Sequence, residues 1–352
     1  MLLPHRYFAA WPTSDRPVIE LAGGSQWNPS LPAEWRYPLA VLSLAEPSIQ
    51  DRALHFYITK DAVRLPEYGP HVVAVLLQEE RCKVPSYALH VRGIVRNLHF
   101  IPFLGFRPRW TINRLNAVLT FEYARDWMLH YRSRQALHTP HPEWPPRLHS
   151  ILRICTIPLG YHSQEELPQI AMQDRTLDSF FAGELVSEVP PTTYRYWVST
   201  SKAEARKQLW RALQEIKRDP EWQIDLDNIG TADASSRAAQ FNSYSKKMMN
   251  SRICLAPRGS MAETYRLYEG LRAGCLVITN RLPDEPFLRN SPVIQVDHWK
   301  ELPGLLRRYA RDFVALEHYR QAGLEWWQKH CHEDVIGPQV GHFLNGCPGG
   351  CP

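Results

Sequence analysis

Arg266 and Glu269 stand three residues apart in Tyr265-Arg266-Leu267-Tyr268-Glu269-Gly270, and on a helix that spacing projects both side chains from one arc. An arginine can pair with phosphate oxygens through two parallel hydrogen bonds, and a glutamate can accept from two sugar hydroxyls. The pair therefore suits a molecule carrying both groups, a sugar nucleotide. Taken alone it could equally be an exposed i,i+3 ion pair, which contributes only about 0.2–0.5 kcal/mol. Just ahead lies Ile253-Cys254-Leu255-Ala256-Pro257-Arg258-Gly259-Ser260, an apolar run that turns into a tight loop. Ser260 and Glu263 have the S-x-x-E spacing of a capping box, which predicts a helix N-terminus just after Gly259. Unpaired N–H groups and the helix dipole would favour an anion there. Pro257, Arg258, Gly259, Ser260, Tyr265, Arg266 and Glu269 form the predicted set for phosphate and sugar. Arg206, beside Lys207 on a helix opened by a second capping box at Ser201 to Glu204, is a secondary phosphate candidate.

Alternating elements must position these residues. Strands are predicted at 177–183, 222–226, 253–256 and 276–279, and helices at 201–216, 238–250 and 263–273, a pattern that argues for an α/β fold with a doubly wound parallel sheet. In the N-terminal half, 39–44, 54–59 and 151–157 read as strands. The strongest element is His71 to Leu77, β-branched and continuously apolar like a strand buried on both faces. Its carboxyl end delivers Gln78-Glu79-Glu80, where an open α/β sheet would meet its ligand. Glu79 and Glu80 are thus candidates for a general base, with Glu80 slightly favoured; the alternative is a pair of surface-loop glutamates. Tyr87 and Arg96 are expected to line the same cleft, and His90 is a reserve base. Gly160, in Pro158-Leu159-Gly160-Tyr161, either permits close backbone approach or is a turn glycine.

The string Cys254-Leu255-Ala256-Pro257-Arg258-Gly259, then Arg266-Leu267-Tyr268-Glu269, then Ala273-Gly274-Cys275-Leu276-Val277-Ile278 with Pro286-Phe287 following, resembles the donor-binding segment of the exostosin-like glycosyltransferases, family 47. The resemblance implies a GT-B architecture, two Rossmann-like domains facing a cleft. Residues 1–168 would form the acceptor-binding domain and 169–352 the nucleotide-sugar-binding domain, with the terminal helix a candidate to pack back on the first. It further implies inverting transfer from a nucleotide-sugar donor, UDP-linked by preference, to a glycan or lipid-linked glycan acceptor in surface polysaccharide or glycoconjugate synthesis. No cofactor and no essential metal are expected. Asp225-Leu226-Asp227 spells D-x-D, but on a predicted strand far from the donor loop. A catalytically silent subunit that binds sugar nucleotide or glycan is the alternative from another class.

The whole chain bounds these readings. Its 352 residues suffice for two domains, and 44% apolar and 22% charged residues are ordinary for a globular protein. A net charge of +5, from 41 basic and 36 acidic side chains, is too mild and dispersed to imply nucleic acid. Dinucleotide, P-loop, nucleophile-elbow and H-E-x-x-H signatures are absent from the sequence. Seven scattered cysteines fit a reducing compartment, and His330-Cys331-His332 with Cys347 and Cys351 matches no usual zinc spacing. No apolar run approaches the length of a bilayer span. The expected location is cytoplasmic, with residues 98–110 a candidate for peripheral contact at the inner face of the membrane.

Overall fold

The computed structural model describes residues 5–10, 18–51, 53–108, 113–139, 141, 144–183, 199–217, 222–227 and 237–346. Two compact units emerge. The first holds residues 1–103, 122–159 and 330–352, and the second holds 104–121 and 160–329. Residues 160–168 thus group with the second unit, and the end of the chain with the first.

The first unit is built on a six-stranded sheet. Its strands are β1 (Arg6–Ala10), β2 (Ile19–Glu20), β3 (His55–Thr59), β4 (Gly69–Leu76), β5 (Val91–Arg96) and β6 (Ile154–Thr156), in the order β2-β1-β3-β4-β5-β6. All neighbours are parallel except β2, which is an antiparallel edge. Val72, Val73, Ala74, Val75 and Leu76 are fully buried, as a strand covered on both faces requires. Leu39 to Leu44, expected as a strand, lies instead inside helix α1 (Arg36–Ala45). Tyr37, Leu39, Val41 and Leu42 are buried at near-helical spacing, so the 3.6 period outweighs the short apolar run. The helix Glu333–Leu344 packs on α1 through Gly337 and Gly341, one turn apart. A Cβ on Gly337 would stand 2.6 Å from Leu44 Cβ, and one on Gly341 2.6 Å from Ser48 Cβ. Tyr37 donates its hydroxyl to the Cys331 carbonyl at 2.5 Å, and Arg92 Nε donates to the Leu344 carbonyl at 2.7 Å. Cys155 on β6 is disulfide-bonded, whereas Cys82, Cys254, Cys275 and Cys331 are free.

Helix α2 (Arg114–Ala136) falls across the division in sequence. The second unit carries β7 (Leu177–Ala182), α3 (Ser201–Ile216), β8 (Ile224–Asp227), α4 (Arg237–Met249), β9 (Ser251–Ala256), α5 (Tyr265–Arg272), β10 (Leu276–Asn280), β11 (Val293–Val296), α6 (Leu302–Tyr309) and α7 (Phe313–His330). The sheet is wholly parallel, in the order β11-β10-β9-β7-β8. The strand order therefore reverses between β7 and β9, the topological switch point where α/β sheets of this winding hold their ligands. Phe181, Leu209, Leu213, Ile253, Leu255, Leu276, Ile278 and Trp299 form its core. Both units are Rossmann-like, each a largely parallel sheet with helices between its strands. We number the remaining C-terminal helix, Glu333–Leu344, α8.

No helix among the described residues is long and apolar enough to cross a membrane. Within 98–110, the segment expected at a membrane surface, Leu98, His99, Pro102 and Gly105 are buried, whereas Ile101, Arg107 and Pro108 are exposed. Residues 109 and 110 lie outside the described set.

Candidate functional site

The site of the second unit lies where β7 and β9 end. Arg266, in the first turn of α5, sets its guanidinium carbon 5.1 Å from the centroid of the Phe181 ring. Phe181 is the penultimate residue of β7, and Gly183 follows that strand. Gly183 has φ +140°, and a Cβ there would sit 2.8 Å from Arg266 Nη2, so only glycine fits beside the guanidinium. The Arg266 side chain has no hydrogen-bond or ion-pair partner among the described residues, and its Nε is buried. Thr264, the N-cap of α5, likewise keeps a buried hydroxyl without a partner. An arginine and a hydroxyl without partners among the described residues thus meet a helix N-terminus at the switch point. That combination can hold a phosphate.

The predicted capping box is not formed. α5 begins at Tyr265, five residues after Ser260, which is exposed, and Glu263 accepts a hydrogen bond from the Tyr268 hydroxyl instead. At α3 the cap also shifts, since Thr200, not Ser201, accepts from Ala203 N, and Glu204 pairs with Arg114 at 3.1 Å. Arg206 and Lys207 are buried on α3 and already engaged within the protein.

Glu269 differs from its sequence-based reading in a similar way. It is 1% exposed; Oε1 accepts from the backbone N–H groups of His162 (3.0 Å) and Ser163 (2.9 Å), and Oε2 from the Tyr244 hydroxyl (2.5 Å). Three of about four acceptor positions on the carboxylate are filled, too many for it to receive two sugar hydroxyls. Glu269 is a clamp that ties the 161–164 loop to α5, reinforced by Gln164 Nε2 donating to its carbonyl at 2.9 Å. Burial and the neighbouring carboxylate push the Tyr244 phenol well above its ordinary pKa, so it stays a donor. The loop enters through Gly160, whose φ of +69° shows a left-handed turn glycine, and it brings His162 edge-on to Tyr265 with centroids 4.2 Å apart.

Pro257 and Arg258 are buried, and Gly259 is half-buried. Asn280 Oδ1, at the end of β10, accepts from Arg258 N (3.0 Å) and Trp299 Nε1 (3.1 Å), which fixes the loop after β9. The Arg258 guanidinium turns back on the Ser260 carbonyl (3.4 Å), and its Nη1 would stand 3.0 Å from a Cβ on Gly105. A side chain at Gly259 would meet nothing closer than 3.6 Å, so steric need does not explain that glycine.

In the first unit Glu79 and Glu80 follow the carboxyl end of β4 but differ in environment. Glu79 is buried, accepts from Arg81 N (3.2 Å) and Lys83 N (3.1 Å), and lies 3.6 Å from the Arg96 guanidinium. Glu80 is exposed and makes no hydrogen bond or ion pair among the described residues. Gln78 (φ +60°) and Cys82 (φ +52°) flank them in left-handed backbone conformations, the kind of strain that collects at functional loops. Arg96 does not line a cleft; fully buried, it donates to the carbonyls of Leu98 and Glu79 and braces both loops. Tyr87 is fully buried, with its hydroxyl donated to the Asp61 carbonyl at 2.8 Å. His90 precedes β5, at the amino ends of the strands and not the carboxyl ends that Glu79 and Glu80 follow, and its Nδ1 pairs with the Pro145 carbonyl, so it is not a reserve base. Asp225 of the D-x-D sequence pairs with Lys247 at 3.2 Å.

Residues 185–335 match the family described as the RXYLT1 C-terminal domain. The match takes in less than half of the chain. The matched segment contains α3 to α7 and with them Arg266, whereas Phe181 and Gly183 precede it. No curated protein matches the sequence. Among solved structures, TarM is similar at 9% identity and a TM-score of 0.42, covering 87% of this chain and 57% of its own. The pneumococcal O-GlcNAc transferase GtfA, in complex with UDP and GlcNAc, is similar at 13% identity and a TM-score of 0.38, covering 88% and 60%. An alpha-glucosyltransferase, in complex with UDP-glucose and DNA containing an abasic site, is similar at 9% and 0.40, covering 86% and 82%. The chain thus spans about three fifths of the first two of these structures. Likeness at these TM-scores says nothing of substrate. Phe181 and Gly183 escaped the sequence reading as site residues, although a strand ending in Ala-Gly was its visible trace. Tyr244, Asn280 and His162 gave no local signal.

Proposed function

We propose that the protein is an inverting glycosyltransferase that binds a nucleotide sugar at the carboxyl ends of β7 and β9. The carrying observation is the Arg266 side chain, held against Phe181 and Gly183 with no hydrogen-bond or ion-pair partner among the described residues. Burying the side of a cation while leaving its charge uncompensated is unfavourable, and a diphosphate would relieve it. UDP is the first nucleotide to test, following the exostosin-like resemblance. Transfer is a single displacement: the acceptor oxygen bonds to the anomeric carbon, the bond from that carbon to phosphate oxygen breaks, and the acceptor proton passes to a carboxylate. Glu80 is the proposed base, since Glu79 is spent on its own loop. Arg266 and the N–H groups at the start of α5 would stabilise the departing diphosphate, without need of a metal in that step. The acceptor class proposed is a glycan or lipid-linked glycan.

Thermal unfolding with UDP, GDP, CMP and their sugar conjugates, in the presence of EDTA, tests the donor site. Ligand at 100 times its dissociation constant stabilises by about 2.7 kcal/mol, a readily measured shift. One nucleotide class should raise the melting temperature of wild type and leave Arg266→Ala unmoved. An equal shift in the variant, or none in either protein, refutes the site. Glu80→Gln should retain the nucleotide response and lose transfer by orders of magnitude; a silent binding subunit would have no turnover to lose.

A further inference from the structure

The first unit holds a second cluster, at the other end of its sheet. His55 opens β3, His71 is the third residue of β4, and Glu67 lies in the loop between them. His55 pairs in register with Val72, so the two histidines are near neighbours on adjacent parallel strands, with ring centroids 5.1 Å apart and planes at 87°. Glu67 reaches between them. Its Oε1 contacts His55 Nδ1, and its Oε2 stands 3.5 Å from His71 Nε2. One donor atom from each residue lies within 4.8 Å of the others, a grouping seen in no other set of three such residues among those described.

We propose that His55, Glu67 and His71 form a binding site for a divalent transition-metal ion, zinc in the first instance. Zinc takes imidazole nitrogen and carboxylate oxygen at about 2.0–2.2 Å in tetrahedral geometry, which places ligand atoms about 3.3–3.6 Å from one another. The His71–Glu67 separation already has that value, and small rotations of the half-buried His55 and His71 side chains would complete the set. Two imidazoles with one carboxylate disfavour magnesium and calcium, which prefer oxygen. The surroundings fit a built site. The Tyr57 hydroxyl donates to Glu67 Oε1 at 2.8 Å, the kind of outer contact that orients a ligating carboxylate. Phe8 packs edge-on to His55 with centroids 5.5 Å apart. Gly69, at φ +139°, leaves room for the His71 ring; a Cβ there would stand 3.0 Å from its Cε1. The His71 side chain is 44% exposed, so the ion has an entry path and a water can fill the fourth position.

The site is structural in purpose. It sits at the amino ends of β3 and β4, about 13 Å along β3 from the carboxyl end, the side of the sheet that carries Glu80. A bound ion would pin the start of two central strands and the loop between them, and the proposal stands independently of the transferase reading. The test titrates zinc chloride into tag-free, chelator-treated full-length protein by calorimetry, with His71→Ala and Glu67→Gln alongside and their folding checked by circular dichroism. Wild type should bind one equivalent at this site, and each folded variant should bind it at least about 100-fold more weakly. Cobalt(II) in place of zinc should give the intense visible absorption of a four-coordinate centre in wild type only. No uptake by wild type, equal uptake by the variants, or equal uptake of magnesium overturns the site and leaves Glu67 as a carboxylate in contact with two histidines and accepting a hydrogen bond from Tyr57.

Discussion

Replacing Glu269 by alanine should destabilise the second unit before it affects any ligand. The carboxylate satisfies two backbone N–H groups and the Tyr244 hydroxyl, all in a dry environment. A buried donor left without its acceptor costs about 1–3 kcal/mol, so the three together give a loss of about 3–9 kcal/mol, to which the loss of side-chain packing adds. For a unit of this size that corresponds to a fall in melting temperature of roughly 6–36 °C. Glu269→Gln keeps the shape and one acceptor oxygen, and the Tyr244 hydroxyl can rotate to accept from the new amide. It should cost only about 1–3 kcal/mol, the difference between charged and neutral hydrogen bonds. Urea unfolding followed by tryptophan fluorescence measures both variants, and thermal shift with nucleotide follows on each that folds. An alanine variant within about 1 kcal/mol of wild type that no longer responds to nucleotide would refute the clamp. It would return Glu269 to the ribose-binding role its spacing first suggested.

Gly183→Ala should displace the Arg266 guanidinium, through both its φ of +140° and the 2.8 Å approach, and abolish the nucleotide-induced thermal shift as fully as Arg266→Ala; an undiminished shift would separate the two residues. Gly337→Ala should destabilise the first unit by about 1–3 kcal/mol in urea, because its Cβ would meet both the side chain and backbone of Leu44. His298 Nδ1 accepts from Lys300 N at 3.0 Å, and burial holds its pKa below the ordinary 6.5. The unfolded chain therefore binds that proton more readily, so this contribution to stability is present above pH 6.5 and is lost as pH falls through the folded value. His298→Asn, which retains a cap, should flatten that part of the acid limb in pH-dependent urea midpoints. Alkylation of denatured, unreduced protein should label Cys82, Cys254, Cys275 and Cys331 but not Cys155, and labelling of Cys155 by mass mapping would contradict its disulfide.

The alternation of elements after residue 177 was legible because each strand there is short, apolar and bounded by a helix with its own period. Leu39 to Leu44 misled because six apolar-rich residues look alike in either state, and only the partners of α1 reveal the helical face. The capping boxes misled for a related reason. Ser260 and Glu263 have the right spacing, yet Glu263 finds Tyr268 and the chain enters its helix later, which no local pattern encodes. Arg266 was singled out by its place in a compound motif, and its side chain stands at the switch point with no hydrogen-bond or ion-pair partner among the described residues. Phe181 and Gly183, which make that arginine what it is, lie more than eighty residues upstream and meet it only through the parallel pairing of β7 with β9. His90 is adjacent to Glu80 in no spatial sense, because the residue before β5 and the residue after β4 stand at opposite ends of two parallel strands; Arg96, at the carboxyl end of β5, does reach Glu79, but it is fully buried there as a brace, and Tyr87 is likewise buried.

The packing of α8 on α1 also sets an order of events during synthesis. The first unit contains residues from both ends of the described chain, so its apolar α1 face waits uncovered while residues 160–329 are made. At about 5–20 residues per second, that delay is roughly 10–35 s, far longer than a helix or a small sheet needs to form. The second unit, whose residues are complete earlier, can fold while the first is still unfinished. A ribosome-bound chain halted before Gly337 would then expose the surface of Val41, Leu44 and Ala45 to chaperones, and release of the last helix would be the step that closes it.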